Sequence, residues 1–490
     1  MTNRFFKSTL TGELMRICLI SEGSYPYVLG GVSSWIDTLT KSCPEHEFII
    51  YTIYPDSRAK GKYKYQLGQN IVEVTGVFLD DIKLEGGKKG RRFKLSKEKH
   101  EALEGLLMGD VFSWAEIFEF FRDTPLGNVT DFFMSKNFFD LVMSLYRMKY
   151  PYTPFTEFIW TIRSIYIILF YLLMNKMPEA DIYHSVSTGY AGIMASYGKF
   201  LYHKPLILSE HGIYTREREE EIIKADWVKG YYKELWINYF YSLSRCTYDL
   251  SDVVTSLFAT NRELQIEIGC PEEKIRIIPN GIDLARFEDI PTEKETDKIF
   301  IGAIVRITPI KDIKTMLQSF ALVKNKVANA EFFIMGPADE DEDYYEECLE
   351  MARQLNLEDV HFTGAVDIRQ YIGKMDILVL TSLSEGQPLA VMEGMAAKKP
   401  HVCTNVGDCR GLMFGDQDLY GQAGFIEFVM DYKGIAQSII KLCENASMRQ
   451  EFGLNAYHRV SAFYRKADFI LKYKQLYQQV GSEENGGNRL

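Results

Sequence analysis

The 490-residue chain lacks the signatures of several common protein classes. Its eight cysteines include no CxxC pair, and neither a GxGxxG nicotinamide fingerprint nor an Asp-x-Asp manganese signature at a strand end occurs. The longest unbroken apolar run, 165–174, has ten residues, whereas a membrane-spanning helix needs about 20. These absences argue against a zinc protein, a nicotinamide oxidoreductase and a protein that spans a membrane. The run predicts a buried helix, with a docking face for a membrane partner as the alternative.

The chain also has few positive charges relative to negative ones. Its formal net charge is −11 and its pI is about 5.4, which argues against a general nucleic-acid binder but leaves an anionic nucleotide possible. No secretory signal is visible in 1–14, which we expect to be a disordered extension. The scattered cysteines favour reduced thiols and a cytoplasmic location.

The N-terminal part alternates strands and helices. A strand at 16–20, a helix at 33–39 and a strand at 48–53 form a βαβ unit, which predicts a parallel sheet. Gly30 and Gly31 follow the first strand, a position that favours close approach of a ligand to the backbone; a plain tight turn is the alternative.

The alternation is interrupted between about 80 and 178, where we predict a helical insertion. It begins with a basic loop, 83–100, which is a solvated loop or a contact with acidic lipid or polymer. The α/β pattern then resumes. We place a linker at 287–297, a second α/β domain at 298–465 and a final helix at 466–480.

Two glutamates mark the most informative stretch. Glu385 follows a predicted strand at 376–380, and Glu393 lies about two turns into a predicted helix at 389–397. The unpaired N–H groups at a helix start bind anions, and carboxylates bind paired hydroxyls. The stretch suits a diphosphate flanked by a sugar and a ribose. A helix with an acidic first turn is the alternative.

Two cations follow another predicted strand. Arg306 ends the strand 298–306, and Lys311 comes five residues later. In open α/β sheets ligands bind beyond the ends of the strands. These two side chains could therefore neutralise a leaving diphosphate.

The motifs together resemble a known family. Strand-Arg-x4-Lys, Glu-x7-Glu and the segment 278–283 resemble retaining glycosyltransferases of family 4, which have the GT-B fold. The segments 15–32, 209–218 and 335–341 resemble more particularly the PelF-type enzymes of Pel exopolysaccharide synthesis.

The resemblance implies an α/β protein with two Rossmann-like domains facing across a cleft. The N-terminal acceptor domain would span 15–290, the donor domain 298–465, and the helix 466–480 would cross back to the first domain. It implies retaining hexosyl transfer from UDP-glucose or a UDP-N-acetylhexosamine to a growing exopolysaccharide. The enzyme would be cytoplasmic or peripheral at the inner face of the membrane, beside membrane partners of a synthase complex, and would bind no nucleic acid.

The resemblance also implies residue roles. Arg306 and Lys311 would hold the diphosphate, Glu385 the hydroxyls of the donor sugar, and Glu393 the ribose. His211 would face the C6 region of that sugar, although a core or capping histidine is the alternative and relatives carry His-Asp where this chain has His-Gly. No cofactor or metal is required. The remaining residues of the donor-binding set are Gly30, Gly31, Gly386, Gln387 and Leu389.

Two alternatives remain open. Another family 4 enzyme with a different acceptor would keep the same donor residues. A catalytically silent scaffold in a polysaccharide synthase complex would keep only the fold.

Overall fold

A computed structural model describes residues 14–85, 90–109, 113–294, 296–415 and 418–486. The predicted disordered extension falls, except for Leu14, outside these residues, as does part of the basic loop. The described residues form two compact units. The first combines residues up to 256 with 261–277 and the chain from 472 onward, and the second combines 257–260 with 278–471.

The first unit contains a parallel sheet of seven strands in the order β3-β2-β1-β4-β5-β6-β7. Its central strands are apolar and buried on both faces, as expected for parallel strands covered by helices. The strands are β1 (Arg16–Glu22), β2 (Glu47–Tyr54), β3 (Ile71–Phe78), β4 (Ile182–Ser185), β5 (Leu206–Glu210), β6 (Val253–Ser256) and β7 (Ile275–Ile277).

Ten helices belong to the described chain up to residue 277, and five of them lie in the predicted insertion. The ten are α1 (Gly31–Ser42), α2 (Lys97–Met108), α3 (Trp114–Asp123), α4 (Thr130–Phe133), α5 (Lys136–Lys149), α6 (Phe155–Leu173), α7 (Tyr190–Tyr202), α8 (Tyr214–Lys224), α9 (Lys233–Leu250) and α10 (Ala259–Ile268).

Helix α6 contains the longest apolar run of the chain. It is long and apolar enough to cross a membrane by length and composition, and 44% of its apolar window is buried within the protein. Phe158, Ile162 and Leu169 pack in the core of the first unit. The inner face of α6 is therefore buried, as the sequence predicts, and its outer face is partly exposed.

The second unit has a parallel sheet of six strands in the order β10-β9-β8-β11-β12-β13. Helices cover an apolar core that includes Ile301, Ile334 and Val402. Its elements are β8 (Ile299–Ile304), α11 (Ile313–Lys324), β9 (Ala330–Met335), α12 (Glu342–Gln354), β10 (Val360–Gly364), α13 (Arg369–Ile372), β11 (Ile377–Leu380), α14 (Leu389–Ala396), β12 (His401–Thr404), α15 (Cys409–Phe414), β13 (Gly424–Glu427), α16 (Tyr432–Glu444) and α17 (Ala446–Phe463).

The second unit begins at Ile278, earlier in the chain than the predicted limit at Lys298. The cause is a pairing of backbone segments: the Ile282 N–H donates to the Tyr464 carbonyl at 2.7 Å, and the Lys466 N–H donates to the Ile282 carbonyl at 2.9 Å. A side chain at Gly281 would collide with the backbone there. The segment after β7 is therefore part of the second unit.

The last helix, α18 (Lys466–Gly486), belongs to the first unit from residue 472 onward. The hydroxyl of Tyr477 lies 2.8 Å from Nδ1 of His184, and the other ring nitrogen of that histidine lies 2.8 Å from Oγ of Ser209. Ser209 also contacts the hydroxyl of Tyr473 at 3.0 Å. A buried polar network thus joins α18 to strands β4 and β5.

Candidate active site

The chain order of the second sheet reverses at one place. Strands β8 and β11 are neighbours, but the chain continues from β8 to β9 on one side and from β11 to β12 on the other. Ligands of open α/β sheets bind in the crevice at such a switch point, beyond the ends of the strands. Arg306 and Lys311 follow β8, and Glu385 follows β11.

Lys311 and Glu385 form an ion pair at this switch point. Their Nζ and Oε1 atoms are 2.5 Å apart, and only 16% and 13% of the two side chains are exposed. The Ser382 hydroxyl donates to the same carboxylate oxygen at 2.6 Å, and the Thr381 hydroxyl donates to the Lys311 carbonyl at 3.0 Å. Residues just after β11 therefore hold the Glu385 carboxylate and the backbone of Lys311 in place.

Arg306 and Lys311 line the same cavity, which measures about 330 Å³ and lies at the ends of β8 and β9 and beside the loop after β10. Arg306 forms an ion pair with Glu340 on the surface. Both partners are about half exposed, so solvent and salt would weaken this pair and leave Arg306 able to change partner.

Glu393 lies in the second turn of α14, where it is half-buried. Burial raises the pKa of its carboxyl, and the nearby guanidinium of Arg286 partly opposes that shift. A half-buried carboxylate gains from hydroxyl donors, because each lost hydrogen bond to water must be replaced. Leu389 begins the same helix, whose N-cap is Pro388 with no capping side chain.

Gln387 is buried and its amide is engaged at both ends. Its Oε1 accepts the Asn280 N–H at 2.7 Å, and its Nε2 donates to Asp408 at 2.6 Å. The Asp408 N–H in turn donates to the Gly386 carbonyl at 2.9 Å. The side chain of Gln387 thus holds the loop before α14 in place, a role that the sequence pattern did not indicate.

In the first unit, His211 follows β5 and lies against α1. Its ring is edge-on to Trp35 with 4.6 Å between the centroids. Burial lowers the pKa of His211 to about 4, and its buried Nε2 has no hydrogen-bond partner among the described residues. Gly30 and Gly31 lie at the start of the same helix, and side chains there would meet open space. Within this unit, His211 therefore packs against the helix that begins at Gly31.

Glu210, the neighbour of His211, is fully buried. Its carboxylate accepts hydrogen bonds from the Tyr248 hydroxyl at 2.6 Å and from the Gln265 amide at 3.0 Å. Burial raises its pKa to about 7 despite these donors. Arg216, six residues further along the chain, makes an exposed ion pair with Glu267.

Sequence reasoning missed Glu22, which ends β1 at the switch point of the first sheet, between β1 and β4. Its carboxylate accepts the Tyr190 N–H at the start of α7 at 3.1 Å and lies 3.9 Å from Arg218. Burial raises the pKa of Glu22 and Arg218 opposes the shift. An acid at the end of the first strand was the signal that could have found it.

A metal centre has no support in the described ranges, where no group of three or more His, Cys, Asp or Glu side chains could hold an ion.

Two known families match different parts of the chain. Residues 15–273, more than half of the chain, match the family described as Domain of unknown function (DUF3492). The chain belongs to the DUF3492 family. Residues 286–459 match the family described as Glycosyl transferases group 1, so the Lys311–Glu385 pair lies in a glycosyltransferase domain.

Curated relatives are similar over about half of the chain. They include N-acetyl-alpha-D-glucosaminyl L-malate synthase of Bacillus anthracis, 25% identical over 50% of this chain and 64% of the relative. A second is N,N'-diacetylbacillosaminyl-diphospho-undecaprenol alpha-1,3-N-acetylgalactosaminyltransferase of Campylobacter jejuni, 29% identical over 45% of this chain and 58% of the relative. A third is Capsular polysaccharide biosynthesis glycosyltransferase CapM of Staphylococcus aureus, 26% identical over 44% of this chain and 58% of the relative. The chain thus spans about three fifths of the length of these relatives.

Solved structures resemble the whole chain. Anabaena HepE in complex with UDP and glucose has a TM-score of 0.59 at 14% identity and covers 94% of this chain and 99% of its own. Sucrose-phosphate synthase from Thermosynechococcus elongatus has a TM-score of 0.60 at 14% identity, covering 96% and 99%. These similarities confirm the predicted fold class, α/β with two Rossmann-like units of the GT-B glycosyltransferase type.

Proposed function

We propose that the protein is a retaining glycosyltransferase that transfers a hexose from a UDP-sugar to a growing exopolysaccharide. The observation that carries this proposal is the Lys311–Glu385 pair, which lies at the switch point of a group 1 glycosyltransferase domain. A cation for the leaving diphosphate and an acid for sugar hydroxyls are adjacent there. The UDP in a solved structure of the same fold and the capsular polysaccharide glycosyltransferase among the relatives support it.

The donor would be held by charge and by main-chain groups. Lys311 would exchange Glu385 for the diphosphate, and Arg306 would exchange the exposed Glu340. The N–H groups of Gly386 and Leu389 would add to the anion site at the start of α14, and a base would enter the 330 Å³ cavity. Stabilising the charge that develops on the leaving group is the main contribution that such a site can make.

Glu385 would bind and orient the donor sugar. Its carboxylate already accepts from Lys311 and Ser382 at 2.5 and 2.6 Å, so it is a positioned hydrogen-bond acceptor. Release of Lys311 to the diphosphate would leave an oxygen for the sugar hydroxyls. We assign it no nucleophilic role. The leaving phosphate would take the acceptor proton on the face of the sugar from which it departs, which retains the configuration.

Glu393 would bind the ribose of the nucleotide. Its half-buried carboxylate would accept from the two hydroxyls, which offsets the cost of its burial. His211 would act as a neutral imidazole, because its lowered pKa keeps it uncharged at neutral pH. No metal enters this scheme, since Arg306 and Lys311 supply the positive charge.

The acceptor and the cellular context are further parts of the proposal. The relatives in Campylobacter jejuni and Staphylococcus aureus bear names that refer to a diphospho-undecaprenol acceptor and to a capsular polysaccharide. With the motifs of PelF-type enzymes, they support a cytoplasmic enzyme of exopolysaccharide synthesis that works beside membrane partners.

The test is release of UDP from UDP-glucose and from UDP-N-acetylhexosamines, with and without oligosaccharide acceptors. The active donor should be consumed by the wild type and by Lys314→Met, and left intact by Lys311→Met. Proton spectra of the first product should show the α-anomer of the donor. Absence of UDP release with every donor and acceptor would favour the silent scaffold.

A further inference from the structure

Exposed aromatic side chains are concentrated around the start of α6 in the first unit. Trp160 is 55% exposed, Trp227 70% and Tyr231 47%, and Tyr152 is fully exposed. Together with Phe139 on α5, these residues define what we call the aromatic–basic face. Isolated exposed apolar residues need no explanation, but a group of large aromatic ones marks an interaction surface.

Contacts show that the face is continuous. The Glu157 carboxylate on α6 accepts from Lys229 Nζ at 2.6 Å and from the Tyr231 hydroxyl at 2.9 Å, which joins α6 to the α8–α9 connection. The rings of Phe139 and Phe155 are 6.0 Å apart, which joins α5 to the start of α6. One surface thus includes the consecutive helices α5 and α6 and the α8–α9 connection, which lies more than 50 residues further along the chain.

Cations are interleaved with these rings. The Arg163 guanidinium lies 4.9 Å from the Trp160 ring, and Lys136 Nζ lies 4.9 Å from the Phe139 ring. Residues 136–163 and 224–233 contain seven Lys and Arg but three Asp and Glu, whereas the whole chain has 56 and 67. Lys224 is paired with Glu220, just outside these segments. The positive charge of the face therefore comes from Arg147, Lys149 and Arg163, which make no ion pair with a carboxylate among the described residues.

The face lies on the side where the strands of the first sheet end. Tyr190 begins α7 just after the end of β4, so it marks the edge of the sheet where the strands end. The ring of Tyr239, six residues after the start of α9, lies 6.4 Å from the ring of Tyr190. The first turns of α9 therefore extend beyond that edge. Helix α6 runs alongside in the same direction, since Phe158 contacts Tyr232 and Tyr166 contacts Tyr239.

We propose that the aromatic–basic face binds the surface of an anionic lipid bilayer. Indole and phenol rings partition to the boundary between head groups and acyl chains, and Lys and Arg attract anionic head groups. The inner face of α6 is packed in the core, so the helix would lie on the bilayer and not cross it. Binding to the bilayer would hold the transferase beside a membrane-borne acceptor, and in this respect the inference rests on the proposed function.

The test is co-sedimentation of the full chain with phosphatidylcholine vesicles, with and without phosphatidylglycerol, in the absence of nucleotide. We expect binding only to the mixed vesicles, weakened at high salt. Trp160→Ala/Trp227→Ala and Arg163→Glu/Lys229→Glu should each bind at least about tenfold more weakly, because aromatic insertion and each cation contribute separately. A blue shift of tryptophan emission on binding should be lost in the first variant.

Phe428→Ala removes an equally exposed aromatic side chain from the second unit and should bind as the wild type does. Failure of the wild type to bind mixed vesicles, equal binding to neutral ones, or undiminished binding by both double variants would overturn the inference. The measurement needs no turnover, so its failure is distinguishable from a failure of the proposed transferase activity, which UDP release tests separately.

Discussion

Glu210 illustrates how a single buried carboxyl makes stability depend on pH. Burial raises its pKa from 4.5 to about 7 in the folded protein. Between these values the folded state retains a proton that the unfolded state has released. The free energy of unfolding should therefore fall as pH rises from about 4.5 to about 7, and this contribution should stay constant above that range.

Glu210→Gln removes the titration while keeping an oxygen for Tyr248. Relative to this variant, the wild type should lose about 3 kcal/mol of unfolding free energy between pH 4.5 and 7, since each pKa unit is worth about 1.4 kcal/mol. Urea unfolding followed by tryptophan fluorescence measures it in the first unit, where all five tryptophans lie. The histidine contributions cancel in the difference. Parallel pH profiles would contradict the assignment.

Glu393 yields a second prediction at this scale. If it binds the ribose, Glu393→Ala should weaken UDP binding by roughly 1–3 kcal/mol, the cost of a lost buried hydrogen-bond partner. The wild type should prefer UDP to 2′-deoxy-UDP, and the variant should lose that preference. Glu350→Ala, on the exposed side of α12, is the control. An unchanged preference in the Glu393 variant, by calorimetric titration, would exclude the ribose role.

At the scale of elements, α18 is held to the first sheet by polar contacts. Tyr477→Phe would leave Nδ1 of His184 buried without its partner, at a cost of about 1–3 kcal/mol. Burial has already lowered the pKa of His184 to about 3, so the ring cannot compensate by becoming charged near neutral pH.

The measurement is the urea midpoint of tryptophan fluorescence, which should fall for Tyr477→Phe. Tyr152→Phe, at a fully exposed position, should leave the midpoint unchanged. Equal midpoints for the wild type and Tyr477→Phe would show that α18 is not secured in this way.

Buried strands were predictable from the sequence. The continuous apolar runs that form β1, β5, β8 and β11 are recognisable in the sequence because both faces of these strands are covered. Two of the four edge strands, β3 and β13, went unrecognised. Their residues are mostly half-exposed, and Gly76 interrupts β3 at a position where a side chain would collide with Thr52.

At the scale of the whole molecule, the sequence predicted where the site lies but not which side chains contact each other there. The spacing of Arg306, Lys311 and Glu385 predicted that they follow strand ends, and the sheet order places them beside a switch point. Arg306 pairs with Glu340, and Gln387 donates to Asp408. Both contacts depend on how segments that are separate in the sequence pack together. Such pairings are not encoded in local spacing.

The same limit explains why Glu22 went unrecognised. Its partners Tyr190 and Arg218 are 168 and 196 positions away in the chain, and only the tertiary fold brings them together. The domain limits were likewise read from composition, whereas the backbone pairing of Ile282 with Tyr464 and Lys466 decides where the second unit begins.

The most direct test of the central claim is calorimetric titration of UDP into the wild type, Lys311→Met and Lys314→Met. Lys314 lies one turn away on α11 and pairs with Glu347 on the surface, so it matches Lys311 in charge but not in position. We predict that UDP binds the wild type and Lys314→Met alike, and binds Lys311→Met at least about tenfold more weakly, because a charge-assisted contact is lost. Failure of UDP to bind the folded wild type, or equal binding by all three proteins, would contradict the account.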